Sequence, residues 1–173
     1  MGKIGIYFGT DTGTTRLIAK KIVDAAAKPV NVNRITPDEL LAFDALILGT
    51  PSYGEGRLPG KSAGNQVESW EEFLPQLEQA DFSGKIIALY GLGNQEKYGE
   101  QFSNSLGHLY RFFKGHGATI VGDWPTDGYD FAHSESVVGG RLVGLVIDQS
   151  SQAMLTEARL DAWVTRIVPH LGA

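Results

Sequence analysis

The sequence predicts an α/β fold, a doubly wound five-stranded parallel sheet in the order 2-1-3-4-5 with helices on both faces. Three observations predict it. Short apolar runs bounded by turn residues recur along the whole chain and alternate five times with helical patterns. The runs are apolar almost without interruption, which suits parallel strands covered on both faces. The last strand alone is irregular, because about 20 polar, glycine-containing residues interrupt it.

In chain order, Lys3–Phe8 reads as the first strand. Residues 13–27 follow as a helix, with Leu17, Ile18, Ile22 and Val23 on one side and Arg16, Lys20 and Lys21 on the other. Val30–Ile35, Asp44–Thr50 and Lys85–Gly91 are strands two to four. Ser69-Trp-Glu-Glu72 is a capping box opening a helix with Trp70, Phe73, Leu74 and Leu77 at i, i+3, i+4, i+7. Pro75 makes that helix short or bent. Phe102, Leu106, Leu109, Tyr110 and Phe113 mark another helix, ended by Gly115 and Gly117. Ala118–Gly122 and Leu142–Asp148 are the two strand-like pieces around the polar stretch. Thr156 is a candidate cap for a last helix with the stripe Leu160, Trp163, Val164 and Ile167. No repeat or linker divides residues 1–173, so a single domain is expected.

The composition narrows the chemistry. The chain has no cysteine, which excludes disulfides, iron–sulfur ligation and thiol catalysis. His108, His116, His133 and His170 have no metal-site spacing. The first strand begins at Lys3, which leaves no room for a signal peptide, and no apolar run reaches membrane-spanning length. Ile6 stands where a myristoylation motif wants Ser or Thr. A cytoplasmic protein with no membrane contact is expected. The net charge of −5 combines +4 over residues 1–35 with −9 over the rest. An acidic main body disfavours nucleic acid and suits basic partners.

In doubly wound sheets ligands bind beyond the carboxyl ends of the strands, and three loops stand out there. Gly9-Thr10-Asp11-Thr12-Gly13-Thr14-Thr15 places the hydroxyls of Thr10, Thr12 and Thr15 and a row of backbone amides at the start of a helix. That is a cup for a phosphate. It lacks the lysine of a nucleotide-binding Walker loop and so suits a monophosphate. An ordinary helix-capping turn is the alternative for this stretch alone. Thr50-Pro51-Ser52-Tyr53-Gly54-Glu55-Gly56 offers an aromatic face at Tyr53, and Gly54 lets the Gly54–Glu55 peptide take two orientations. Gly91-Leu-Gly93-Asn94-Gln-Glu-Lys-Tyr98 offers a second aromatic face. Either loop alone reads equally well as a surface turn. Together, a phosphate cup and two aromatic walls at one sheet edge describe an FMN site.

The pattern Thr-x-Thr-Gly-x-Thr after the first strand, with these two aromatic loops, resembles the flavodoxin family. The similarity is to its long-chain branch, of the kind found in nitrogen-fixing bacteria, and runs over nearly the full length. It is carried by GTPSYGEGRLPG (49–60), SWEEFLPQLEQADFSGK (69–85), GLGNQEKYGEQF (91–102) and GDWPTDGYDF (122–131). The resemblance implies a flavodoxin-like fold in which residues of about 122–141 are the insertion that splits the last strand. It implies that Thr10, Thr12 and Thr15, with the amides of Asp11 through Thr15, Gly13 and Thr14 among them, hold the FMN phosphate. Tyr98 stacks on the outer flavin face and Tyr53 on the inner one, where the family often has tryptophan. The Gly54–Glu55 peptide switches its hydrogen bond at flavin N5, and Asp148 lies near the ribityl chain. Asn94 replaces the aspartate usual in Gly-x-Gly-Asp-Gln, which implies a less negative hydroquinone couple.

The function so implied is a low-potential one-electron carrier, not an enzyme. It would shuttle between semiquinone and hydroquinone, with no catalytic residue and no metal. As a monomer it would dock transiently at the flavin edge with flavodoxin/ferredoxin reductase-type donors and low-potential acceptors, nitrogenase reductase among the candidates. Glu55, Glu96 and Glu100 would rim that edge, or be ordinary solvated charges. An FMN-dependent NAD(P)H:quinone or dye reductase is the enzyme alternative, but no second glycine-rich nucleotide fingerprint is present. A phosphoacceptor receiver domain fails, since its acidic cluster, acceptor aspartate and lysine are replaced by Gly9-Thr10, Thr50-Pro51 and Asp148-Gln149.

Overall fold

The computed structural model describes residues 4–9, 29–52 and 57–172. The helix expected over 13–27, the Thr10–Thr15 turn and residues 53–56 lie outside them. Strands β1 (Ile4–Phe8), β2 (Val30–Asn31), β3 (Ala45–Thr50), β4 (Ile86–Leu92) and β5 (Thr119–Val121) are parallel, in the order β2-β1-β3-β4-β5. After β5 the chain leaves the sheet. It forms a small antiparallel sheet from β6 (Trp124–Pro125), β7 (Val137–Val138) and β8 (Arg141–Leu142), in the order β6-β8-β7. It then returns as β9 (Leu145–Ile147). Ile86–Ala88 of β4 pair with β5, and Tyr90–Leu92 of the same strand pair with β9. The fifth track of the sheet is therefore one strand in two pieces, with the insertion between them.

Side chains alternate between the two faces at the strand period of two. Leu46 and Leu48 of β3 and Ile87 and Leu89 of β4 join one buried cluster. Ala45 and Ile47 of β3, with Ala88 and Tyr90 of β4, join the other. Helices cover both clusters. On the first face lie α2 (Trp70–Phe73), continued as a tighter 3-10 turn over Leu74–Leu77, and α3 (Asn104–Gly115). On the second lies α5 (Thr156–Ile167), burying Leu160, Trp163 and Ile167. Two further short helices are α1 (Pro37–Leu41) and α4 (Gln149–Gln152).

The local signals act as their chemistry dictates, with four differences, one being that Leu142, expected to open the last strand piece, lies in β8, so that piece begins at Leu145. At Ser69 the Glu72 carboxylate accepts from the Ser69 amide at 2.9 Å, and α2 lasts only four residues before Pro75 tightens it. The second strand stops at Asn31, short of the expected Ile35, because the Asn31 side chain accepts from the Asn33 amide at 3.1 Å and turns the chain into a 3-10 segment. Val32 still reaches the core from that turn. Phe102 precedes α3 rather than lying within it. Thr156 is the first helical residue of α5, not its cap, and its hydroxyl donates to Gln149 Oε1 at 2.7 Å.

The site at the carboxyl edge of the sheet

Parallel strands all point one way, so the ends of β1, β3, β4 and β9 converge on one edge. Gly9, directly after β1, donates its amide to Gly49 O at 3.0 Å, and Trp70 Nε1 donates to the same carbonyl at 2.9 Å. A side chain at 9 would collide with the Trp70 ring, 2.3 Å from an ideal Cβ. Glycine is thus required immediately before Thr10.

The second corner is seated on α3. Thr50 is buried, and its Oγ1 donates to Pro51 O at 2.9 Å. Ser105 Oγ lies 3.0 Å from Thr50 Oγ1 and donates to Pro51 O at 2.6 Å. Ser52 Oγ accepts from the Ser105 amide at 3.2 Å. These hydroxyls fix the corner itself, with Thr50 and Pro51 as its buried base and Ser52 half-buried beside them. Tyr53, Gly54 and Glu55 lie outside the described residues.

The third loop leaves β4 beside β9. Gly93 packs against the Phe102 ring, whose nearest atom would lie 2.6 Å from a Cβ. Gly91 is backed by Ser103, with Ser103 Oγ 3.1 Å from the corresponding point. Asn94 makes a turn: its side-chain oxygen accepts from the Lys97 amide at 3.0 Å, and its carbonyl from the Tyr98 amide at 2.8 Å. That turn presents Tyr98 half-buried at the surface, with Lys97 Nζ 5.4 Å from its ring centroid. Glu96 and Glu100 are exposed on either side.

Asp148 follows β9 and is almost wholly buried, at 1% exposure. Its carboxylate accepts from the Gln95 amide at 2.9 Å and, capping α4, from the Ser151 amide at 2.8 Å. Charge-assisted bonds of this kind compensate the burial of the negative group. Asp148 therefore joins the third loop to the β9 corner. Among the described residues no group of three or more His, Cys, Asp or Glu converges as a metal site would require. No helix among them is long and apolar enough to cross a membrane.

The sequence reading did not single out Gln95 or Ser105 for this edge. Ser105 carries the second corner and Gln95 the third loop. The signal for Ser105 was available as a small hydroxyl residue in the first turn of α3. For Gln95 there was none, since its partners lie 53 and 35 residues away.

Fold and edge together define a doubly wound α/β protein of the class that holds a planar, phosphorylated ligand across the carboxyl ends of its strands. Comparison with known proteins makes the class specific. The flavodoxin family model matches residues 6–163. A flavodoxin of Klebsiella pneumoniae is 47% identical over 171 residues, covering 96% of this chain and 97% of that one. A flavodoxin of Helicobacter pylori is 42% identical, with 96% and 97% covered. The crystal structure of Fusobacterium nucleatum flavodoxin bound to flavin mononucleotide superposes with a TM-score of 0.87 at 35% identity, covering 99% of both chains. The chain belongs to the flavodoxin family.

Proposed function

We propose that this chain carries single electrons between partner proteins on one non-covalently held FMN. The observation that carries the reading is the flavodoxin match over residues 6–163, with a sheet in which the ends of β1, β3 and β4 fall at a single edge. The donor set fits the group. The described walls supply half-exposed Tyr98 and the backbone at Gly91 and Gly93. Asp148, the one buried carboxylate among the described residues, has both oxygens engaged by amides, so a phosphorylated chain passing beside it would meet a compensated charge.

The flavin supplies the one-electron chemistry, and the residues set its terms. Thr10, Thr12 and Thr15, with the amides of Asp11 through Thr15, would hold the phosphate by neutral donors. Tyr98 and Tyr53 cover the two ring faces and exclude water. The Gly54–Glu55 peptide would offer either its N–H or its C=O to the ring edge, an exchange that glycine would make inexpensive. Asp148 borders the ribityl chain. Glu96 and Glu100 penalise extra negative charge on the ring and attract basic partners in a salt-sensitive way. The protein works as a monomeric, single-domain cytoplasmic carrier. Reductases of the flavodoxin/ferredoxin type load it and low-potential enzymes such as nitrogenase reductase unload it.

The test is the visible spectrum of the purified protein during anaerobic photoreduction. A half-reduced species absorbing at long wavelength should accumulate and then fade. Two-electron bleaching by NAD(P)H alone would identify a reductase, and failure to take up added FMN would refute the site.

A further inference from the structure

We propose that Gln95 is a positioning residue which makes the insertion a brace for the loop carrying Tyr98. The inference rests on the FMN reading and goes beyond it, in assigning the insertion a part in holding the flavin.

The loop between β4 and α3 has two external anchors. One is the β9 corner, through the Gly93 amide to Ile147 O at 3.0 Å and the Gln95 amide to Asp148. The other is the insertion. The Asp130 amide donates to Gln95 Oε1 at 2.5 Å. The Ala132 and His133 amides donate to Gly99 O at 2.7 and 3.0 Å, and the Phe102 amide donates to His133 O at 3.1 Å. The Phe102 and Phe131 rings stack with centroids 4.8 Å apart.

Gln95 alone joins both anchors, its backbone to Asp148 and its side chain to Asp130. It is only 8% exposed, although it sits in a surface loop. A buried amide oxygen is retained where its bond is made, and removing the acceptor strands the Asp130 amide. The bonds at Gln95 and Gly99 bracket Tyr98 in sequence, so the insertion fixes the backbone on both sides of the ring. The same segments, 95–101 and 130–132, line an open cleft of about 420 Å³. The loop has room to relax into it once the tie is cut.

Gln95→Leu removes the acceptor at similar length, and Gln95→Glu keeps it. FMN dissociation constants come from the recovery of flavin fluorescence, and ring geometry from the visible circular dichroism of bound FMN. Gln95→Leu should weaken binding about tenfold and change the dichroism, whereas Gln95→Glu stays within about threefold of wild type. Arg141→Ala, which cuts the Arg141–Asp123 pair within the insertion and away from Gln95, should leave both readings unchanged. Unaltered affinity and dichroism in Gln95→Leu would overturn the inference, as would an equal loss in Arg141→Ala. One reading needs no variant: in the wild type, FMN should slow hydrogen exchange at the Asp130, Ala132 and His133 amides. Identical exchange with and without FMN would also overturn it. A wild-type protein that takes up no FMN would instead defeat the function proposed above.

Discussion

The central sheet and the insertion are held together by opposite means. In the sheet, β3 is buried along its whole length, and both faces are closed by apolar helix stripes. In the insertion the three strands are two residues each. Much of that segment's attachment is made by side chains reaching backbone groups. Ser136 Oγ donates to Ser103 O at 2.6 Å and accepts from the Gly107 amide at 2.8 Å. The Glu135 amide donates to Asn104 Oδ1 at 2.8 Å, and Tyr129 donates its hydroxyl to Val146 O at 2.6 Å. Burial pushes the Tyr129 phenol up to about 12, partly offset by Arg159 stacked over its ring, so it remains a donor at neutral pH. Apolar burial is non-directional and tolerates repacking, whereas a polar attachment fails when one atom is removed. A segment held by directional bonds is therefore suited to setting the position of a neighbouring loop.

The largest expected effect lies in the sheet. Trp163 is fully buried on α5, packs edge-on to Tyr90 with centroids 6.3 Å apart, and donates Nε1 to Gly122 O at 2.8 Å. Trp163→Ala should cost about 3–5 kcal/mol of unfolding free energy in urea titration. A loss below about 1 kcal/mol would mean that this face is not the tight core described above.

Next comes a polar deletion in the insertion. Ser136→Ala removes one oxygen, taking the hydroxyl partner from the Gly107 amide and from Ser103 O, which keeps the Leu106 amide at 3.1 Å, at a cost of about 1–3 kcal/mol. Its counterpart is Val138→Ala in the same hairpin. Val138 is 48% exposed, and the change should stay within about 0.5 kcal/mol. If the apolar truncation cost more than the hydroxyl deletion, the contrast between the two regions would collapse.

The same contrast governs what could be read from the sequence. Strands β1, β3 and β4 were legible because continuous burial writes continuous apolar runs. The second strand was overextended because Val32 and Ile35 continue such a run, while the turn is made by the Asn31 amide oxygen. The insertion was legible as an interruption but its hairpins were not, since two-residue strands have no period. At the edge, the loops were located by the strand ends they follow. The inward turn of the Thr50 hydroxyl and the double attachment of Gln95 depend on partners distant in sequence. Only the folded chain reveals them.

The smallest expected effect is a pH dependence at the seam between the regions. His108, half-buried on α3, lies with Nδ1 3.3 Å from Arg111 Nη2, and Arg111 reaches Glu135 O of the insertion. Burial and the Arg111 charge lower the His108 pKa, against a smaller opposing pull from Glu135. The folded state therefore holds its neutral form to lower pH than the unfolded chain, which takes up a proton below about 6.5. In that window the unfolded state binds more protons, so stability falls as pH drops. Above it both states are neutral at this residue and the contribution vanishes. The urea midpoint should fall between pH 7.5 and pH 5.5, and by less in His108→Gln than in wild type. Because the carboxylates are common to both proteins, the difference between the two drops isolates the imidazole. An equal drop would show that the seam does not disfavour its charged form.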